Sequence, residues 1–132
     1  SISGPQNAEA RAWYLANHMP VLAYSSLGRG LFSGRVAPET FDQDVEQLDR
    51  AARTAYCHPV NRRRLERAGE LARRYGVGVP QVALAYLLAS PLDVFPLVGA
   101  ASAEEYEQNL KAFDLALTAE EAAWLNLERE AL

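Results

Sequence analysis

The sequence predicts an α/β fold in which parallel strands alternate with helices. Two short apolar runs, residues 21–24 and 93–98, are separated by stretches with helical periodicity. A strand–helix–strand order of this kind indicates parallel strands joined by helical crossovers. The 132 residues, 49% hydrophobic and 23% charged, are typical of one globular domain, taken here as residues 1–132.

The N-terminal third should contain a strand end, a helix and a first complete strand. The stretch SISGP at residues 1–5 is typical of the end of a strand and its turn. Helical spacing over residues 7–17 places four small or apolar residues on one face, with Trp13 nearby: Ala8, Ala12, Leu15 and Ala16. The apolar run at residues 21–24 predicts a strand buried on both faces.

Helices should fill the region between the two strands. Thr40 and Gln43 have capping-box spacing, which predicts a weakly patterned helix to about Arg53, with a break at Pro59. A clear helix follows over residues 61–75, and Gly76 should end it. Its apolar face comprises Leu65, Ala68, Leu71, Ala72 and Tyr75, and its arginines are Arg62, Arg63, Arg64, Arg67, Arg73 and Arg74. Because the spacing already explains these arginines, we interpret them as a solvated face rather than an anion site.

The C-terminal half should hold a buried helix, the second strand and two capped helices. A helix begins near Pro80 and is apolar nearly all round, so it should be mostly buried. Pro96 predicts an irregular end to the strand at residues 93–98. Capping boxes at Ser102 and Thr118 predict helices to about Phe113 and through Leu127. Since two strands cannot close a sheet, the chain should be part of a larger α/β unit or recruit partner strands.

Charge, hydropathy and cysteine content exclude several classes of protein. A net charge of −4 argues against a nucleic-acid partner. No apolar run is long enough to cross a bilayer, and no signal peptide is visible, which predicts a cytoplasmic protein. The single cysteine, Cys57, cannot form an internal disulfide and should be an inert thiol in a reducing compartment. We predict no metal site.

Two loops of small residues, 24–34 and 99–102, each follow a strand. Both should therefore lie at the carboxyl edge of the sheet, where parallel α/β proteins bind ligands. The helix that opens at Ser102 presents free N–H groups and a partial positive charge, which suits a phosphate. In the first loop Gly28 and Gly30 leave room, and Ser25 and Ser26 can donate hydrogen bonds. Phosphate binding is one interpretation, and two simple tight turns are the other.

Three stretches, in this order, resemble the C-terminal part of the aldo-keto reductases. They are VLAYSSLGRGLFSG at residues 21–34, GVPQVALAYLLAS at residues 78–90, and VFPLVGAASAEEYEQNLKAFDLALTAEEAAWL at residues 94–125. The resemblance implies a (β/α)8 TIM barrel of which this chain is the C-terminal portion. It also implies a nicotinamide cofactor, NADP or NAD, and reduction of aldehydes or ketones by the parent enzyme.

The same resemblance implies a set of cofactor-binding residues. Tyr24 would stack on the nicotinamide. The other implied residues are Ser25, Leu27, Gly28, Arg29 and Gly30 around the pyrophosphate, Gly99, Ala100 and Ser102 at the adenosine phosphate end, and Glu105, Gln108 and Asn109 at the ribose and adenine. Ser26 replaces the usual proline. Neither Gly99 nor Glu105 is the cation that many relatives place beside the 2′-phosphate of NADP, which leaves NAD and NADP both open.

No catalytic residue is predicted in this chain. The catalytic Asp, Tyr, Lys and His of the family belong to the first half of the barrel, and His18 and His58 lie outside the matching motifs. The chain alone is therefore predicted to be inactive, with the missing N-terminal half or a second copy as its partner. The alternative is a non-catalytic nucleotide-binding or interaction module, in which open strand edges would pair with a partner.

Overall fold

The described residues form a sheet of two parallel strands and seven α-helices. A computed structural model describes residues 5–132, so the strand end predicted at residues 1–4 lies outside the described residues. The elements in chain order are α1 (Ala8–Ala16), β1 (Val21–Ala23), α2 (Phe41–Asp44), α3 (Arg50–Tyr56), α4 (Pro59–Tyr75), α5 (Val79–Leu88), β2 (Val94–Pro96), α6 (Ala103–Leu110) and α7 (Ala119–Leu125). Short 3₁₀ turns cover Pro5–Asn7, Gly28–Gly30, Val45–Gln47 and Lys111–Asp114. The α/β class and the order of elements are confirmed.

Strands β1 and β2 pair in parallel, as predicted. Val21 lies opposite Val94, and Ala23 lies opposite Pro96. Pro96 has no N–H, and the ladder continues one residue later, where Leu97 N donates to Ala23 O at 2.8 Å. Pro96 is therefore the last residue of β2, which is the irregular end that the sequence predicted.

The two faces of the sheet differ sharply in burial. Ala23 and Val94 are half-buried on the side where α5 packs. On the other face Leu22 is 66% exposed and Phe95 is 54% exposed. The prediction that β1 is buried on both faces is therefore wrong for the described chain, because no element of residues 5–132 covers this second face. Helix α1 likewise contains no buried residue.

Helices α4 and α5 form the best-packed part of the molecule. Helix α4 begins at Pro59 and ends at Tyr75; the residue that follows, Gly76, has a φ of 67°, in the left-handed region that favours glycine. Leu71 of α4 and Val82 of α5 are fully buried, and no residue of α5 is exposed. One core cluster consists of Ala68, Leu71, Ala72, Val82, Trp124 and Leu125, and a second of Leu31, Val36, Phe41, Val45 and Leu65. The mostly buried helix α5 and the apolar face of α4 are confirmed, except that Tyr75 on that face is exposed.

The prediction of a solvated arginine face on α4 is correct for Arg63, Arg73 and Arg74, which are exposed, but not for Arg64 and Arg67. The side chain of Arg67 is only 12% exposed, and its guanidinium lies 4.9 Å from the centre of the Trp124 ring. Its Nη1 donates to Trp124 O at 2.5 Å and to Arg129 O at 2.7 Å. Arg64 Nη2 donates to Asn126 Oδ1 at 3.0 Å. These arginines bind the C-terminal segment, because its backbone carbonyls and polar side chains lie within their reach.

The helix predicted over residues 40–53 is divided into α2, a 3₁₀ turn and α3. Thr40 does not cap α2, because its Oγ1 donates instead to Asp44 Oδ2 at 2.6 Å. Asp44 Oδ2 also accepts from Ala37 N at 3.0 Å. The cap that does form is Asp49, which accepts from Ala52 N at 2.7 Å and starts α3.

Both C-terminal capping residues act as predicted, with one difference. Thr118 and Glu121 form a complete box, with Glu121 N donating to Thr118 Oγ1 at 3.1 Å and Thr118 N donating to Glu121 Oε2 at 2.9 Å. Ser102 caps α6 by accepting from Glu105 N at 3.1 Å. The Glu105 carboxylate, however, reaches one residue further back, where it accepts from Ala101 N at 2.7 Å.

Two global features bear on function. Within residues 5–132, no helix is long and apolar enough to span a membrane. The same residues contain no group of three or more His, Cys, Asp or Glu side chains placed to hold a metal ion.

Candidate nucleotide-binding cleft

The carboxyl ends of the two strands lie side by side. Ala23 O, at the end of β1, accepts the backbone hydrogen bond from Leu97 N just after β2. Ser26 Oγ lies 2.7 Å from Ala23 O and 3.1 Å from Leu97 O, so one hydroxyl joins the two chain segments. The loops that follow the strands therefore leave the same edge of the sheet next to each other.

The first loop is a tightly wound turn that depends on left-handed residues. Gly28, Arg29 and Gly30 have φ values of 58°, 53° and 105° in succession. A Cβ on Gly28 would lie 3.2 Å from Phe32 Cδ2, and one on Gly30 would lie 3.1 Å from Leu48 Cδ2. Both glycines are buried, so the backbone and its close packing explain them, not the room for a ligand that the sequence suggested.

The second loop leads directly into the capped N-terminus of α6. Gly99 and Ala100 are exposed, and a Cβ on Gly99 would meet nothing within 4 Å. Ser102 and Glu105 hold the turn through the two hydrogen bonds described above. This loop is open where the first is compact.

A cleft of about 440 Å³ lies between the glycine loop, the start of α5 and one side of α6. Its lining residues are Leu27, Ser33, Gly78, Pro80, Gln81, Ser102, Glu104, Glu105, Gln108 and Asn109. The cleft therefore brings Leu27 of the first loop together with four predicted residues of the second loop and α6. The predicted residues outside its lining are Tyr24, Ser25, Gly28, Arg29, Gly30, Gly99 and Ala100.

Asn109 is the cleft residue with a buried polar side-chain atom that lacks a hydrogen-bond partner. Its Nδ2 is buried and makes no hydrogen bond, a condition shared among the described side chains only by Arg64 Nε. An unpartnered buried amide is costly, and it is satisfied when a ligand supplies an acceptor. The carboxamide can both donate and accept, which matches the edge of a nucleobase. This residue fits the cofactor that the sequence motifs imply.

The aldo/keto reductase family model matches residues 5–126. The chain belongs to the aldo/keto reductase family. The family match covers both strands, both loops and every residue that lines the cleft.

Curated relatives come from fungi and bacteria. The chain is 32% identical over 119 residues to an aldo-keto reductase of Emericella nidulans, covering 84% of this chain and 28% of that protein. It is 29% identical to an uncharacterized oxidoreductase of Bacillus subtilis, covering 80% of this chain and 31% of that protein. It is 28% identical to a probable aryl-alcohol dehydrogenase of Saccharomyces cerevisiae, covering 84% of this chain and 35% of that protein. The chain thus spans about a third or less of the length of these oxidoreductases.

Sequence analysis missed Gln81, although this aldo/keto reductase chain uses it to join two walls of the cleft. Gln81 is 5% exposed; its Nε2 donates to Gln108 O and its Oε1 accepts from Gly78 N, both at 2.8 Å. It thereby fixes α6 against the first turn of α5. The signal was present in the sequence, since Gln81 is the one amide in an otherwise apolar helix and stands at a capping position.

Two arginines, Arg29 within the first loop and Arg35 just after it, have different partners. Arg29 Nη2 donates to Asp49 Oδ2 at 2.8 Å, which raises the pKa of Arg29 and lowers the pKa of the Asp49 carboxyl. Arg35 Nε donates to Ser33 Oγ at 3.1 Å and forms no ion pair with any described residue. Glu104 and Glu105 lie on the cleft wall, and no Lys or Arg is among the lining residues.

The remaining candidate residues lie outside the cleft. Tyr24 is 77% exposed at the end of β1. His18 precedes β1 at the opposite end of the sheet, where its Nδ1 lies 3.6 Å from Asp93 Oδ2. His58 is the residue before α4. Cys57 Sγ lies 3.7 Å from Ala52 O, and partial burial raises the pKa of its thiol, which disfavours the nucleophilic thiolate.

Proposed function

We propose that this chain forms one side of the nicotinamide dinucleotide cleft of an aldo-keto reductase that reduces aldehydes or ketones. The family membership supports an oxidoreductase, and the cleft between the two loops supports a nucleotide as its ligand. The observation that carries the proposal is Asn109, a buried amide without a partner on the wall of that cleft. In this proposal residues 1–132 are the C-terminal portion of a (β/α)8 barrel.

The chain's residues would bind and orient the cofactor rather than react. The free N–H groups at the start of α6, beside Ser102, would face the phosphates. Asn109 would pair with the adenine edge, and the exposed ring of Tyr24 would stack on the nicotinamide. Bound there, NADP or NAD in its reduced form supplies a hydride for the carbonyl carbon.

Charge on the cleft wall bears on the choice between the two cofactors. Glu104 and Glu105 repel an additional phosphate but accept hydrogen bonds from ribose hydroxyls. Arg35, next to the lining residue Ser33 and without an ion-pair partner among the described residues, is the cation best placed to offset them. We therefore propose NADP or NAD as the cofactor. Binding of NADP would depend on Arg35, whose positive charge would pair with the 2′-phosphate.

Proton transfer to the carbonyl oxygen would come from another part of the parent protein. No histidine, lysine, tyrosine or cysteine lines the cleft. The open sheet face with Leu22 and Phe95 supports a missing barrel half, or a second copy, as the partner that completes the site. The single unpaired cysteine supports a cytoplasmic location.

Equilibrium dialysis against NADH and NADPH tests the binding part of the proposal. We expect the chain to bind at least one of them in the millimolar range or tighter, and Asn109→Ala to weaken binding about tenfold, which is about 1.4 kcal/mol. Asn17→Ala is the matched control, because Asn17 lies beyond α1 and bonds only to Trp13 O. Equal affinity in all three proteins, or no binding of either nucleotide, would contradict the proposal.

A turnover assay and a mass measurement separate the enzyme fragment from a non-catalytic module. The purified chain with NADPH or NADH and an aromatic aldehyde should show no cofactor oxidation, and adding a complementary barrel half should restore it. The exposed Leu22 and Phe95 are equally compatible with the second candidate, an interaction module that pairs through its own sheet. That candidate predicts a stable homodimer that no complementary half displaces.

A further inference from the structure

The ion pair between Arg29 and Asp49 bears on how tightly the cleft binds anions, because it occupies the Arg29 guanidinium. Arg29 stands in the glycine loop two residues after Leu27, which lines the cleft, yet Arg29 itself is not among the lining residues. Its guanidinium is held by Asp49 Oδ2 at 2.8 Å. Both side chains are about half exposed, so the pair is open to competition from an anion in solution.

We propose that Asp49 is a specificity-determining residue that keeps Arg29 from pairing with phosphate groups at the cleft. This rests on the proposed function, since it concerns the same nucleotide site. Arg29 is placed on a tight turn, because Gly28, Arg29 and Gly30 are all left-handed and the two glycines are closely packed. The backbone is therefore fixed, and the partner of the guanidinium decides whether its charge is available.

The charges around the cleft show why this matters. Glu104 and Glu105 are on its wall, and the lining residues include no cation. With Arg29 bound to Asp49, Arg35 is the flanking arginine without a carboxylate partner among the described residues. An anionic ligand therefore meets one available arginine beside the loop, and removing Asp49 would provide a second.

Asp49 has two functions that a single substitution can separate. Its Oδ1 accepts from Ala52 N and caps α3, while its Oδ2 pairs with Arg29. Asparagine is as good an N-cap as aspartate but carries no charge. Asp49→Asn should therefore keep α3 and release Arg29.

The test is isothermal titration calorimetry at low salt, which measures the affinity of inorganic pyrophosphate for four proteins. They are the wild-type chain, Asp49→Asn, Arg29→Gln and the double variant. We expect Asp49→Asn to bind pyrophosphate about three- to tenfold more tightly than wild type, because a freed guanidinium forms charge-assisted hydrogen bonds with phosphate oxygens. Arg29→Gln alone should change affinity less than about twofold, whereas in the Asp49→Asn background it should abolish the gain. High salt should reduce the gain.

Several results would overturn this inference. One is that Asp49→Asn binds pyrophosphate no more tightly than wild type while circular dichroism shows its helices intact. A second is that Arg29→Gln weakens the wild type as strongly as it weakens Asp49→Asn, and a third is that none of the proteins binds pyrophosphate. The proposed function fails separately, if the wild-type chain binds neither NADH nor NADPH.

Discussion

The helical layer formed by α4, α5 and α7 and the sheet formed by β1 and β2 differ in how their apolar side chains are covered. In the helical layer Leu71, Val82 and Trp124 come from three different helices and are 0%, 0% and 6% exposed. In the sheet Leu22 and Phe95 lie opposite each other and are more than half exposed. The helical layer thus completes its own core, whereas the part that carries the cleft leaves apolar surface for another layer to cover.

The largest expected effect is in the helical core. Leu71→Ala should lower the free energy of unfolding by about 2–5 kcal/mol, because it opens a cavity among fully buried neighbours. Leu22→Ala should change it by no more than about 0.5 kcal/mol in the same chain, because its side chain is already in solvent. Urea unfolding measures both. Similar losses at the two leucines would mean that the sheet face is covered.

The buried carboxylate of Glu121 comes next, since it joins α7 to α4. It accepts from Thr118 N and from Tyr75 Oη, the latter at 2.7 Å, and it is 3% exposed. Glu121→Ala should cost about 1–3 kcal/mol by leaving these donors without a partner. Glu105→Ala, which removes a single exposed hydrogen bond to Ala101 N beside the cleft, should cost about 0.5–1 kcal/mol in the same unfolding assay. Equal losses of unfolding free energy in the two variants would contradict the difference between the buried joint and the exposed cleft wall.

Lowering the pH should weaken the contact that Glu121 makes between α7 and α4. Burial raises the pKa of Glu121, but the hydrogen bonds from Thr118 and Tyr75 and the charge of Arg74 outweigh it, so the pKa is lowered overall. A lowered folded-state pKa adds stability that is complete above the ordinary value of about 4.3 and is lost as the pH falls through the folded-state pKa. Wild type should therefore progressively lose its advantage over Glu121→Gln as the pH falls below about 4.5. A difference in unfolding free energy that stays constant over that range would refute this.

The smallest effect concerns the C-terminal segment. Arg67→Ala removes the donor to Trp124 O and Arg129 O and the contact with the Trp124 ring, at a cost of about 1 kcal/mol. Hydrogen exchange of residues 124–130 should become faster, while β1 and β2 exchange as before. Arg73→Ala, on the exposed side of α4, is the control and should leave exchange unchanged.

The sequence predicted the helical layer better than the sheet, for a physical reason. Leu65, Leu71 and Val82 are buried by residues of this same chain, so periodicity alone identifies them. Burial of Leu22 depends on a layer that residues 5–132 do not provide, and no local pattern can report that. Thr40 has the spacing of a capping residue, but its hydroxyl bonds to the Asp44 carboxylate instead of capping α2.

The candidate site follows the same division. The adjacency of the two loops follows from parallel pairing, and Ser102, Glu105, Gln108 and Asn109 meet Leu27 across one cleft. Packing and left-handed backbone favour Gly28 and Gly30 in the first loop, a requirement that the sequence pattern did not reveal. Gln81 and Asp49 were missed because their roles depend on contacts with distant segments, at Gln108 and Arg29.

The central claim is that both strand tips contribute to one nucleotide cleft, and mapping by NMR tests it most directly. NADH and NADPH are titrated into ¹⁵N-labelled chain while every backbone amide is followed. We expect the amides of Leu27 and Gly28 to shift together with those of residues 103–109, with one common dissociation constant, while the arginine-rich side of α4 stays unchanged. Shifts confined to one loop, or centred on α4, would contradict it.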